Sequence, residues 1–226
     1  MSSTFYDQYP KFHVAVDCII FGYQAGKLKV LLQQRPFEPH KGDWSLLGGF
    51  VQESEDVSAS AQRVLLELTG LKDIYISQIG AFGSVHRDTG DRVISIAYAA
   101  LVDINNIDEQ LNHEHSAYWE ELNSIPTLLF DHNEMIRQAY HMLRSNIGRK
   151  PIGFHLLPPL FTLTQLQQLY EAILNETLDK RNFRKRIGEM PYIEKTTEID
   201  RTTSKRGAAL YKFNEQAYCH YLNFRL

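Results

Sequence analysis

The stretch "GGFVQESEDVSASAQRVLLELTGL", residues 48–71, decides how the first part of the chain is read. Its glycine pair, Gly48 and Gly49, ends the apolar run "DWSLLGGFV", which predicts a short strand entering a loop. From Ser54 onward the pattern turns helical. Val57, Ala61, Val64, Leu65 and Leu68 fall on one broad face, as in a helix packed on a core. Ser54 is the expected N-cap, and Gly70 ends the helix as the residue just past it. Val64 and Leu68 are four apart, so they share one surface and make it apolar.

The neighbouring segments supply a sheet for that helix. "HVAVDCIIFGY" and "LKVLLQQR", joined by "QAGK", read as a hairpin turned at Gly26. "IYISQIGAFGSV" and "RVISIAYAALVD" are two further strands separated by the polar "HRDTGD". "DHNEMIRQAYHMLRSNI" is an amphipathic helix, with Asp131 near its start and Ile136, Ala139, Tyr140, Leu143 and Ile147 toward the core. An α+β domain closed by a helix results. The segment "GRKPIGFHLLPPLF" carries three prolines and two glycines and marks a joint, giving expected domains at 1–149 and 150–226.

Charge supports the division. Residues 1–149 hold 12 Lys and Arg against 19 Asp and Glu, whereas residues 150–226 hold 12 against 8. A basic small part on an acidic large one suits an anionic partner. Hydrophobic residues at 43% and charged residues at 23% exclude a disordered chain. No apolar run approaches the roughly 18–20 residues that span a bilayer, and "MSSTFYDQYPKF" lacks the regions of a signal peptide. Cys18 and Cys219 stand far apart without metal-like spacing, so reduced thiols and a cytoplasmic location are expected.

The basic part has its own pattern. Thr162 and Gln165 have capping-box spacing ahead of a helix with a Leu166, Leu169, Tyr170 and Ile173 stripe. Asp179 can cap a second helix, in which Phe183, Ile187 and Met190 face inward. Lys180, Arg181, Arg184 and Lys185 lie on a separate face, within about 140° of one another. Two helices joined by a short turn, the second apolar on one face and basic on another, fit a helix-turn-helix. Lys and Arg pair with phosphates, and Arg and Asn182 can reach base edges in the major groove. "YIEKTTEIDRTTSKRGAALYKFN" looks like the β-hairpin of a winged helix, with Arg201, Lys205 and Arg206 at its tip. The plainer alternatives are a solvated basic helix in an ordinary helical appendage, or a module that binds something other than DNA.

Residues 49–71 resemble a Nudix box, G-x5-E-x7-R-E-U-x-E-E-x-G-U, where U is a bulky aliphatic residue. Gly49, Glu55, Arg63, Leu65, Glu67, Gly70 and Leu71 stand at the required offsets. Val64 and Leu68 replace two of the glutamates, and Leu47 replaces the usual proline before the glycine pair. The resemblance implies a Nudix-like α/β/α sandwich. In enzymes of the family, helix glutamates hold Mg²⁺ against a nucleoside diphosphate, and more than one carboxylate is needed. The expectation here is therefore no metal, no cofactor, no catalytic residue and no effective hydrolysis. Glu67 is expected to be structural, paired with Arg63 four residues away.

By the same resemblance Arg35, Trp44, Phe50, Glu67, Phe82, His86 and Arg87 surround a ligand cleft. Any single aromatic among them is more readily core than ligand contact, and His86 is as readily a solvated loop residue. A degenerate Nudix domain followed by a winged helix-turn-helix resembles the Nudix-related transcriptional regulators. Their NrtR-type branch senses ADP-ribose, and an AraR-like branch responds to sugars such as L-arabinose. The expectation is a homodimeric repressor of carbohydrate-utilisation genes on palindromic double-stranded operator DNA, released by a pentose effector. The alternatives are an ADP-ribose-sensing regulator of NAD metabolism and an active pyrophosphohydrolase of ADP-ribose or a related nucleoside diphosphate sugar.

Overall fold

The structure, a computed structural model, describes residues 5–70, 72, 74–106, 116–202 and 207–223. The chain divides into two compact units. The first is built from segments within 1–20, 30–100 and 107–141, and the second from segments within 21–29, 101–106 and 142–226.

Among the described residues the larger sheet has seven strands. β1 (His13–Gln24), β2 (Lys27–Gln34), β3 (Trp44–Ser45), β5 (Tyr75–Phe82) and β6 (Val93–Val102) run in the order β3-β2-β1-β6-β5. β4 (Leu47–Phe50) pairs with β1, and β7 (Ala117–Glu121) pairs with β2. β1 is buried from Val16 to Gly22 without alternation, the sign of a strand covered on both faces. The apolar run at "DWSLLGGFV" is two strands rather than one. Trp44 and Ser45 pair with Gln34 and Gln33, whereas Leu47 to Phe50 pair with Cys18 to Ala15.

Helix α1 (Val57–Thr69) buries Ala61, Val64, Leu65 and Leu68, the face that the spacing predicts. It begins later than expected. Asp56, not Ser54, is the N-cap, and Asp56 makes no side-chain capping bond. Glu55 Oε1 accepts the Gln52 N–H at 2.9 Å and closes residues 52–55 into a turn that the helix cannot enter. Gly70 ends the helix at φ +70°, and its N–H reaches the Leu66 carbonyl at 2.9 Å. In helix α2 (His132–Ile147) Met135, Ile136, Ala139, Leu143 and Ile147 are buried. Cys18 is buried too, its thiol pushed up by desolvation and directed at the Ala61 carbonyl, so it is an inert core residue.

The second sheet is antiparallel, with β8 (Phe161–Thr162), β10 (Ala208–Phe213) and β9 (Ile193–Asp200) in the order β8-β10-β9. Helices α3 (Leu163–Leu174) and α4 (Lys180–Gly188) lie between β8 and β9 in sequence, and α5 (Glu215–Asn223) follows β10. The α3 capping box is complete. The Gln165 N–H donates to Thr162 Oγ1 at 3.1 Å, and the Thr162 N–H donates to Gln165 Oε1 at 2.7 Å. Thr162→Ala is expected to cost about 1 kcal/mol, read as a lower midpoint in urea with an unchanged slope. Asn175, at φ +54°, ends α3, and Asp179 caps α4 by accepting the Asn182 N–H at 2.8 Å. Phe183 and Ile187 are buried, and the Phe183 ring meets Tyr170 edge-on at 5.5 Å. Helix–turn–helix followed by a β-hairpin is a winged-helix arrangement.

Candidate functional site: a cleft beside α1 and a basic helix

A cleft of about 340 Å³ opens beside β4 and α1. Of the residues assigned to a ligand cleft, Arg35, Phe50, Glu67 and Arg87 line it, together with Val64 and Leu68. Trp44, Phe82 and His86 are not among its lining residues. Trp44 is held in β3 with its ring edge-on to Tyr118 at 5.8 Å, and Phe82 is the last residue of β5. His86 instead lines a separate hollow with His40, Phe130 and Asp131.

The floor of the cleft is a buried polar cluster. Arg87, its side chain only 3% exposed, grips Asp131 through Nη2 at 2.7 Å and Nε at 3.0 Å, and its Nη2 lies 3.5 Å from Asp17. Ser95 donates its hydroxyl to Asp17 Oδ2 at 2.5 Å. His132 Nε2 stands 3.6 Å from Asp17 Oδ1, while His132 Nδ1 accepts the Leu46 N–H at 3.0 Å. A backbone N–H can only donate, so Nδ1 is the acceptor and the ring proton sits on Nε2, facing Asp17. Burial pushes the Asp17 carboxyl up, but His132, Ser95 and Arg87 together outweigh it and hold it below its ordinary value. Burial also works against the Arg87 charge, and Asp131 and Asp17 more than offset it. Arg87 is thus occupied inside the protein rather than held out for a ligand. Gly48 lets this cluster form, because a Cβ there would sit 2.5 Å from Asp17 Oδ1 and 2.6 Å from the Val16 carbonyl.

Arg63 braces the loop ahead of α1, chiefly through a different partner from the one expected. Its Nη2 and Nε bind the two Glu55 oxygens at 2.8 and 3.0 Å, and Nη2 also reaches the Phe50 carbonyl at 3.2 Å. The Arg63 hydrogen bonds hold the Glu55 carboxyl down at about 2. Glu67 is the looser partner, 3.5 Å from Nη1.

Asp17, Ser95, Asp131 and His132 were not singled out from sequence as site residues, Asp131 being read only as the start of a helix. One signal was available: Asp17 is an acid in the middle of an apolar strand, where a buried carboxylate requires partners.

On α4, Lys180, Arg181, Asn182, Arg184 and Lys185 are all exposed. Lys180 and Arg184 line a groove of about 600 Å³ with Thr164, Gln165 and Gln168 of α3 and Tyr211 of β10. Those α3 and β10 residues were missed because they belong to no charge run. Arg201 is exposed just after β9, whereas Lys205 and Arg206 lie outside the described residues.

Residues 11–142 match the family described as the NUDIX domain, and residues 153–213 match the NrtR DNA-binding winged helix domain. The chain is 36% identical over 214 residues to the ADPR responsive transcriptional repressor NtrR of Acinetobacter baylyi, covering 93% of this chain and 85% of that protein. The chain belongs to the NrtR-type Nudix regulators. The crystal structure of Shewanella oneidensis NrtR complexed with a 27mer DNA is 29% identical, with a TM-score of 0.82 over 90% of this chain and 94% of that one. A cocrystal structure of the NUDIX domain of Shewanella oneidensis NrtR with ADP ribose is 30% identical, covering 60% and 91%, with a TM-score of 0.52.

The Nudix domain of this NrtR-type chain does not fit the Mg²⁺ that Nudix enzymes use. Val64 and Leu68 offer no oxygen, and both Glu55 oxygens are taken by Arg63. Among the described residues no group of three or more His, Cys, Asp or Glu is placed to hold a metal ion.

Proposed function

We propose that the protein is a transcriptional repressor that binds double-stranded operator DNA through α4 and the β9–β10 hairpin and is released by ADP-ribose in the cleft beside α1. The observation that carries this reading is the continuous similarity to an ADP-ribose-responsive repressor over 93% of the chain, cleft and winged helix alike. The domain boundary near residue 150, between the two matched segments, is part of the proposal. So is a homodimer, since such motifs read two half-sites about one helical turn apart or a multiple of it. A cytoplasmic location is also part of it; among the described residues no helix is long and apolar enough to cross a membrane.

ADP-ribose replaces the pentose expectation. Nothing in the comparisons supports L-arabinose or carbohydrate utilisation, and the NUDIX domain of a related regulator is known with ADP ribose. A second reading, hydrolysis, draws on 35% identity over 125 residues to an ADP-ribose pyrophosphatase of Methanocaldococcus jannaschii. The donor set around Val64 and Leu68 weighs against it.

The test is fluorescence anisotropy on duplexes selected by the protein from a random-sequence library. ADP-ribose is expected to raise the apparent Kd about 5–150-fold, the range of ordinary allosteric coupling, and L-arabinose to leave it unchanged. By linkage, saturating duplex must weaken ADP-ribose binding by the same factor. Release by L-arabinose alone, or Mg²⁺-dependent cleavage of ADP-ribose that Glu67→Gln abolishes, would overturn the reading.

A further inference from the structure

Carboxylates remain in the cleft, but their placement removes them from metal binding. Asp17 has one oxygen on the Ser95 hydroxyl and the other facing His132, with Arg87 beside them. Glu55, which is not among the lining residues, is bidentate on Arg63 in the loop ahead of α1. Glu67 and Asp88 are left, on α1 and in the β5–β6 loop, and Asp88 Oδ1 already accepts the Gly90 N–H at 2.8 Å. Val64 and Leu68 line the same cleft and are buried, at 2% and 8% exposure. A hard divalent ion shared with phosphate oxygens needs several oxygen ligands converging on one point, and this wall has none.

The cleft nevertheless holds a cation. Arg35 Nε donates to the Pro39 carbonyl at 2.8 Å, and its guanidinium carbon lies 4.4 Å from the centre of the Phe37 ring. These two contacts fix the guanidinium plane. Among the described residues Arg35 has no carboxylate partner, so both Nη groups keep their donors. By contrast, Arg63 and Arg87, the other cleft arginines, are each held by carboxylates. A planar fork of N–H donors held in place by stacking is the side chain suited to two phosphate oxygens at once.

We propose that the cleft takes its diphosphate ligand without a divalent cation, with Arg35 supplying the positive charge and Val64 and Leu68 an apolar wall against which the ligand packs. Glu67 and Asp88 then serve as acceptors for sugar hydroxyls. The inference rests on ADP-ribose being the effector and goes beyond it by fixing how the diphosphate is held.

The experiment is isothermal titration of the full-length protein with ADP-ribose, once in EDTA and once in Mg²⁺. The expected Kd values agree within about two-fold, since the ion adds no ligand contact. Arg35→Ala is expected to weaken binding at least ten-fold in both buffers, because it removes charge-assisted donors. Val64→Glu with Leu68→Glu is expected to make binding depend on Mg²⁺. Both positions are buried, so the wild-type comparison and Arg35→Ala decide the matter if that variant does not fold. Binding only in Mg²⁺ overturns the metal-free site while leaving the effector intact. Unchanged affinity in Arg35→Ala overturns the role of Arg35. No binding in either buffer overturns the effector assignment, and this inference with it.

Discussion

Arg87→Met is expected to destabilise the fold by about 3–5 kcal/mol, measured by urea unfolding at pH 7, the usual cost of removing one partner from a buried ion pair. Methionine keeps the stem of the side chain, so little packing is lost. What is lost is the charge between two carboxylates. Asp17 and Asp131, 11% and 23% exposed as side chains, would face one another across an apolar gap with their counter-charge gone. The penalty is an unpaired-charge penalty, which is larger than the net worth of the bridge itself. Adding Asp17→Asn and Asp131→Asn to Arg87→Met should therefore recover part of the loss, which a packing defect would not allow.

The same cluster sets a pH signature. Asp17 has a folded-state value below its ordinary 3.8, so the stability it contributes is present above that value and is lost as pH falls through the lower folded one. In Arg87→Met the order reverses. Protonating Asp17 relieves repulsion, so the deficit relative to wild type should narrow as pH approaches 4. A deficit that stays constant between pH 7 and 4 would show that the charges around Asp17 are not what Arg87 holds together.

That cluster also shows where the sequence stops being legible. The α1 helix and its apolar face, the Thr162 and Gln165 capping box and the Asp179 cap are local, each written within a few residues at a spacing with one physical meaning. Asp17, Ser95, Arg87, Asp131 and His132 come from β1, β6, a loop and the start of α2, and no spacing links them. Their convergence is a product of strand order, with β1 lying between β2 and β6 in the sheet and also pairing with β4. The Asp56 cap shows a local failure. Ser54 and Asp56 are comparable capping residues, but Glu55 is drawn back to the Gln52 N–H and out to Arg63, so the helix starts beyond it. Trp44 has a tertiary cause as well. Its pairing with Gln34 in β3 sets its ring against Tyr118, and no count of aromatics near Gly48 could place it there.

The basic helix was legible in a different way, since its function requires exposure rather than packing. Arg184→Ala with Lys185→Ala is expected to lower affinity for a selected duplex roughly 30-fold at 0.15 M salt. The estimate follows from counterion release, in which each phosphate contact contributes about 0.9 to the slope of log K against log salt. Two contacts removed should flatten that slope by about 1.8, with the two lines converging near 1 M salt. Both residues are exposed on α4, while Phe183 and Ile187 on the opposite face hold the helix to its unit, so the variant should unfold at the wild-type midpoint. Three results separate the readings. A flatter slope with weaker binding to every sequence marks both residues as phosphate contacts. A loss confined to the selected duplex marks a base contact, most simply by the Arg184 guanidinium on a guanine edge. Binding that survives the double substitution with an unchanged slope would mean that α4 does not meet DNA, and would leave its charge as a solvated face.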